Sequence, residues 1–296
     1  MFPSIEDTVT AAGSRLFVYG TLLRGLSRAQ VLRGARFLGP ALVEGRLFDL
    51  GRYPGLRPGR GLVVGELWEV DTATLERIDR IEGFDPRDRT GSLYQRVKTP
   101  VRSLSGTPFS AATYRYNRRP PGDARIGHGD YRRYLLEHRP GQQPMVAYGS
   151  NLRRSRIEER IGPVGRRRPG ALPGFRLSLE KRAAGGPRVV ANLRFTGRDG
   201  CPGALHRVEP RQLEAMDRFE GTPDHYLRVV LPFRPEGERG LRLAHTWIAH
   251  PDRVTTGLPV APEYLAHLRA GYGEFGWTQG PIELAVADLP EGTDEG

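Results

Sequence analysis

Two glutamates in this chain occupy places where an amphipathic helix rarely keeps a charge. Glu82 closes the segment LERIDRIEG before its glycine, and Glu220 closes LEAMDRFEG in the same way. On a helical wheel Leu75, Ile78 and Glu82 fall at i, i+3 and i+7, as do Leu213, Met216 and Glu220, so each carboxylate shares the apolar face. Burying an ionised carboxylate is costly unless it is paired, and the usual relief is a raised pKa. A general base working near neutrality needs just that property. The alternative for each glutamate is plainer: hydrogen bonds from loop amides hold it, or the following glycine merely ends the helix. Two matching copies weaken a surface accident, although duplication copies structural residues as well. Asp79 and Asp217 are expected to cap or to pair with a nearby arginine.

Earlier in each copy stands a complementary motif. The run LFVYGTLL carries Tyr19, Gly20, Thr21 and Leu22, and MVAYGSNL carries Tyr148, Gly149, Ser150, Asn151 and Leu152. A buried strand that stops at glycine lets a ligand approach the backbone, and the N–H groups and hydroxyl that follow can converge on one point. Such a nest suits a carboxylate or a developing oxyanion. Alone, a Tyr-Gly-Thr or Tyr-Gly-Ser is an ordinary strand-to-turn corner. Paired in order with an inward glutamate, twice, it points to a site.

The elements that must position these residues follow from the repeat itself. GELWEVDTATLERIDRIEG and GALHRVEPRQLEAMDRFEG keep the order of the opening motifs, so the 296-residue chain reads as a duplicated domain. The segment RPGQQP, residues 139–144, reads as a linker and divides the chain into units 14–139 and 144–281. Residues 1–13 read as a loose arm, and the acidic end from 287 as disordered. Apolar or alternating runs predict strands over 41–48, 62–70, 95–101 and 111–116. Repeat two answers with 176–179, 189–195, 204–208, 228–232 and 243–249. Helices are predicted over 71–82, 130–137, 209–220 and 262–270. The balance predicts an α+β fold: a curved mixed sheet or small barrel with a few helices, made twice.

Composition removes several function classes. No apolar run approaches the roughly 20 residues of a membrane helix, and the start lacks a signal-like pattern. The lone Cys201 cannot form an internal disulfide or a thiolate zinc site, which suits the cytoplasm. Net charge is +11, yet only Lys98 and Lys181 of 45 basic residues are lysines, and the arginine clusters lack interleaved aromatic rings. A solvated basic face is expected, with no nucleic-acid partner. The seven histidines form no close cluster, so no metal is expected. GYGEFG at 271–276 fits a dinucleotide fingerprint in letters but follows a helix-like run, where the fingerprint needs a strand. Cys201 lacks an evident histidine neighbour, and no G-x-S-x-G occurs, so a nucleophilic enzyme is not expected either.

At these residues the chain resembles the γ-glutamylcyclotransferase superfamily, including its γ-glutamylamine and AIG2-like branches. Repeat one resembles the γ-glutamylamine branch through FVYGTLLRG, VEGRLFDLGRYPGL, VVGELWEV, LERIDRIEG and YQRV. Repeat two is similar to the branch opening with YGSNL, through GFRLSLEKR, VVANLRFTG, GALHRV, DRFEG and YLRV. The resemblance implies two tandem small mixed β-barrels with flanking helices, and cofactor-free cleavage of a γ-glutamyl amide to 5-oxoproline and a free amine. It implies catalytic roles for Glu82 and Glu220 and substrate binding by the two Tyr-Gly-Thr/Ser loops. Tyr94 and Tyr226 match a position near the family's pocket, where core packing of the ring serves equally well. Repeat one departs by the charged insertion DPRDRTGS before Tyr94, which raises the question whether both pockets take one substrate. Three outcomes stay open: two active sites, one active and one degenerate, or a tandem module that binds a γ-glutamyl ligand without turnover. Packing of the repeats as an internal pseudo-dimer is a further expectation.

Overall fold

Leu16, Phe17 and Val18 are all buried, and so are Met145, Val146 and Ala147. A short run that is apolar on both faces needs a neighbour on each side and cover above and below. In the computed structural model, which describes residues 13–289, these runs are β1 (Ser14–Val18) and β7 (Gln143–Ala147). Each lies between two neighbours in its ring. Repeat one continues through β2 (Arg36–Asp49), β3 (Pro54–Val70), helix α1 (Thr72–Glu82), β4 (Tyr94–Ser103), β5 (Pro108–Tyr116), the short β6 (Arg125–Ile126) and helix α2 (Tyr131–Glu137). The order β3-β1-β5-β4-β2 returns to β3 through the β2–β3 pairing and so closes, with β6 added beside β2.

Repeat two follows β7 with helix α3 (Arg154–Ile161), β8 (Arg168–Arg182), β9 (Val189–Val208), helix α4 (Pro210–Glu220), β10 (Tyr226–Pro235), β11 (Arg242–Ala249), and helices α5 (Pro262–Gly273) and α6 (Gly280–Ala287). Its barrel closes in the order β10-β11-β7-β9-β8. In each ring one pair is parallel, Leu16 beside Ala112 and Met145 beside His245, and the others are antiparallel. The chain is therefore α+β, two small mixed barrels with flanking helices.

The two repeated helices are fixed at both ends. Asp71 caps α1 by accepting from Thr74 N at 2.7 Å, while Glu209 and Gln212 form a capping box on α4. Gly83 and Gly221 end them in the left-handed conformation, φ 60° and 65°, which glycine adopts without steric cost. Ile78 in α1, and Leu213 with Met216 in α4, are buried. Each such side chain contributes about 1.5–3 kcal/mol of apolar burial.

Several expectations need correction. The runs at 189–195 and 204–208 are one strand, β9, because β8 and β9 pair on both sides of a bulge between Pro173 and Phe175 that lets both strands bend. The linker is shorter than RPGQQP. Gln143 and Pro144 pair with Val208 and Arg207, and Gln143 is buried. Helices α3 and α6 were not expected. α6 carries repeat two beyond residue 281, and Asp288, placed in the disordered end, bonds Arg194 and Arg176. The rest of that end, from 290, and residues 1–12 of the arm lie outside the described residues.

Candidate functional site

In repeat one the parallel pair β1–β5 delivers Tyr19 to the mouth of the barrel. Its hydroxyl donates to the Tyr114 carbonyl at 2.6 Å and accepts from Leu56 N at 3.2 Å. Tyr94, at the start of β4, donates to the Pro54 carbonyl at 2.8 Å. Between these two rings lies a cavity of about 170 Å³, lined by Tyr19, Gly20, Thr21, Leu22, Arg28, Tyr53, Tyr94 and Glu82 among others. Burial pushes the Glu82 carboxyl up to about 7, with Arg28 opposing the shift. Its place as the last residue of α1, at the negative end of the helix dipole, acts in the same direction as burial.

Repeat two builds the same frame with different walls. Tyr148 donates to the Trp247 carbonyl and Tyr226 to the Ala191 carbonyl, both at 2.7 Å. The cavity is about 400 Å³ and includes Tyr148, Gly149, Ser150, Asn151, Glu220 and Tyr226. Glu220 is less isolated than Glu82: Asn151 Nδ2 donates to its Oε1 at 3.0 Å, and Arg160 reaches the same oxygen at 3.3 Å. Burial raises its carboxyl above the ordinary value, while Arg160, Asn151, Lys181 and Arg156 pull it back. Arg160 also stacks 4.1 Å from the Phe219 ring, and Lys181 Nζ stands 4.8 Å over Tyr226.

The motif glycines act by closeness of packing and not by a positive φ. Neither is among the glycines of positive φ. A Cβ on Gly20 would meet Pro54 Cγ at 2.9 Å, and one on Gly149 would meet Ala191 Cβ at 3.1 Å. Among the described residues the N–H groups of Thr21 and Leu22, and of Ser150 and Asn151, make no hydrogen bond, whereas Leu23 N and Leu152 N bond back to Gly20 and Gly149. Two N–H groups per loop are thereby left for a ligand. Burial and the nearby glutamates push the Tyr19 and Tyr148 phenols up, so both stay hydrogen-bond donors.

The structure gathers every expected site residue around its own cavity except Leu152, which is fully buried in the core beside α5. Tyr94 and Tyr226 do both things proposed for them, lining the cavity and packing in the core. Asp79 and Asp217 pair with Arg96 at 2.6 Å and Arg228 at 3.2 Å, as expected of structural residues. None of residues 85–92, the charged insertion, lines the first cavity. That loop is tied to itself and to Asn117, with Ser92 donating to Asp88 O at 2.7 Å and Asn117 Nδ2 donating to three of its carbonyls.

Arg28, Tyr53, Arg156, Arg160, Lys181, Trp247 and Tyr264 line the cavities without having been singled out. Lys181 alone carried a signal, as one of two lysines in an arginine-rich chain. Among the described residues no group of three or more His, Cys, Asp or Glu side chains could hold a metal ion, and no helix is long and apolar enough to cross a membrane.

Comparison with known proteins agrees with this arrangement. The sequence pattern of the family described as gamma-glutamyl cyclotransferase, AIG2-like matches residues 16–133 and again 145–264. Gamma-L-glutamyl-butirosin B gamma-glutamyl cyclotransferase of Niallia circulans is 38% identical over 128 residues, 43% of this chain and 80% of that protein. The gamma-glutamylcyclotransferase family protein YtfP of Escherichia coli K12 is 34% identical over 119 residues, 40% of this chain and 95% of that one. The crystal structure of YkqA from Bacillus subtilis superimposes with a TM-score of 0.74 at 19% identity, covering 95% of this chain and 100% of that one, which shows a shared two-barrel fold. With a half-buried glutamate and a Tyr-Gly-Thr/Ser loop in each barrel, and the family pattern matched twice over most of its length, the chain belongs to the gamma-glutamyl cyclotransferase, AIG2-like family as a tandem member.

Proposed function

We propose that the chain cleaves a γ-glutamyl amide by cyclisation, releasing 5-oxoproline and a free amine, with Glu82 and Glu220 as the proton carriers of two sites. The observation that carries this reading is a carboxylate of raised pKa lining one cavity with a loop that keeps two unbonded main-chain N–H groups, in both repeats.

The substrate supplies its own nucleophile. Its α-amine and γ-carbonyl are tethered at the spacing of a five-membered ring, so no enzyme nucleophile is required. The glutamate takes a proton from the α-ammonium, and the freed amine attacks the γ-carbonyl carbon. The oxyanion that forms is held by the N–H groups of Thr21 and Leu22, or of Ser150 and Asn151. The C–N bond to the leaving amine then breaks as the glutamate protonates that nitrogen. The α-nitrogen gives up two protons in all and the leaving nitrogen gains two, so the carboxylate carries each in turn and ends as it began. Tyr19 and Tyr148 hold the loops at the barrel mouth, and Tyr94 and Tyr226 wall the glutamyl end.

The Niallia circulans relative, whose name gives γ-L-glutamyl-butirosin B, supports extending the reading to a γ-glutamyl-protected biosynthetic intermediate. A half-active form of the same reading is favoured by cavity size alone, since the first cavity has about 170 Å³ against about 400 Å³ in the second.

The test is a panel of γ-glutamyl amides with 5-oxoproline measured by mass spectrometry, beside Glu82→Gln, Glu220→Gln and the double variant. Turnover that survives in the double variant would sink the mechanism. Loss in one single variant assigns the active repeat, and loss only in the double variant assigns two.

A further inference from the structure

The last helix of repeat one, α2, lies against repeat two. Asp130 is 2% exposed; one oxygen caps α2 by accepting from Arg133 N at 3.2 Å, and the other accepts from Val230 N of β10 at 2.9 Å. At the other end of the helix, Glu137 accepts from Arg228 Nη2 at 2.8 Å. The same Nη2 stands 3.2 Å from Asp217 Oδ2, on α4 and three residues before Glu220. Asp217 Oδ1 accepts from Trp247 Nε1 at 3.0 Å, and the Trp247 carbonyl accepts the Tyr148 hydroxyl at 2.7 Å. A continuous polar chain thus runs from repeat one to both sides of the second cavity, the helix that carries Glu220 and the tyrosine that opens the binding loop.

Repeat one holds its own helix without such help. Arg96 Nη1 pairs with Asp79 Oδ2 at 2.6 Å, and Tyr114 donates to the other oxygen at 2.7 Å. Among the described residues no carboxylate of repeat two reaches Arg96. The exposures explain the difference. The Arg96 side chain is 30% exposed and keeps water, whereas that of Arg228 is 5% exposed and must find its acceptors within the protein. Glu137 is one of them, steadied by Arg133 Nε at 2.8 Å and His128 Nε2 at 3.4 Å. Without Glu137 the buried guanidinium falls to Asp217 alone, and the pull acts on α4.

We propose that Glu137 of repeat one is a positioning residue for the Glu220 site, so that the second cavity reaches full activity only with repeat one docked on it, while the first cavity is independent of repeat two. This rests on the cyclisation reading for its kinetic arm only.

The test uses the full-length chain with Glu137→Gln in two backgrounds. With the first site silenced by Glu82→Gln, Glu137→Gln is expected to lower kcat for 5-oxoproline release about tenfold with KM held within about twofold, as a small displacement of a catalytic group does. Glu137→Asp, which keeps the charge, should recover part of that loss. With the second site silenced by Glu220→Gln, Glu137→Gln should leave kcat and KM as they were. Hydrogen–deuterium exchange without substrate should quicken across residues 210–220 and stay the same across 72–82. Equal loss in both backgrounds overturns the proposal, because it marks Glu137 as a support of global stability. Unchanged kcat in the Glu82→Gln background overturns it too. If the parent chain turns over no γ-glutamyl amide, the function reading fails alone and the exchange arm decides the coupling by whether α4 responds.

Discussion

The two cavities share a frame and differ in size and in the charged side chains beside the carboxylate. Each has a phenol bonded to a neighbouring strand, a glycine packed against the barrel, and a glutamate at a helix end capped by glycine. Around Glu82 stand tyrosines and one arginine, Arg28, in about 170 Å³. Around Glu220 stand Arg156, Arg160, Lys181 and His225 in about 400 Å³. The helix that ends in a glutamate is thus kept in duplicate, while the cavity walls around it have parted. Under the cyclisation proposed above, that division means common chemistry with separate choice of leaving amine.

The comparison breaks most visibly at the glutamates. Replacing either with glutamine should remove about 10²–10⁴-fold of turnover at its own site, the usual contribution of a general acid–base. If the walls select, the two single variants will lose different members of the amide panel. Identical losses across the panel would mean the cavities are interchangeable.

A second consequence concerns stability. Glu82 has an ordinary carboxyl value of 4.5 and a folded value of about 7. The folded state therefore holds its proton more tightly than the unfolded chain, so stability falls as pH rises from 4.5 and the full cost is present above about 7. That cost is of the order of 3 kcal/mol. Glu82→Gln should melt higher than the parent at pH 8.5 and converge with it near pH 4.5. A variant no more stable at pH 8.5 would contradict the partial burial of an unpaired carboxylate.

The cationic wall sharpens the comparison further. Lys181→Ala with Arg156→Ala should raise KM about tenfold for γ-glutamyl amides whose amine carries a carboxylate, and leave those with a neutral amine unchanged, because one lost ion pair in a partly enclosed site is worth about that much. The smallest expected effect is in pH dependence. Arg160→Leu removes the strongest opposing charge on Glu220, so the acidic limb of the second site should move up by about one pH unit. The first site, already limited near pH 7, should not move. A limb that stays put would mean Arg160 does not act on Glu220.

Much of this was legible in the letters because the two copies check each other. The helices ending at Glu82 and Glu220 carry their own caps, Asp71 and Glu209, and their own stops, Gly83 and Gly221, so local chemistry fixes their limits. α3 escaped notice because only Ile157 and Ile161 are buried on it, too few for a periodic signal in RSRIEERI. The union of 189–195 with 204–208 escaped because TGRDGCPG has the composition of a turn, whereas β8 pairs with its second half, 200–203, and again from Phe195, so the strand runs on across the bulge. The cavity walls escaped for a different reason. Arg28, Arg160 and Lys181 come from segments brought together only by barrel closure, and a long cation on the sequence looks the same whether it faces water or a carboxylate.

Among the described residues the contact between Glu137 and Arg228 has no counterpart in the opposite direction, and that asymmetry says something about ancestry. In a dimer of identical subunits every interface residue appears twice, so a change that suits one site is imposed on the other. Joining the copies in one chain lifts that constraint. Each half is then free to drift alone, one toward supporting its neighbour and the other toward a roomier, more cationic cavity, and a fused pair can become a division of labour that a symmetric pair could never reach.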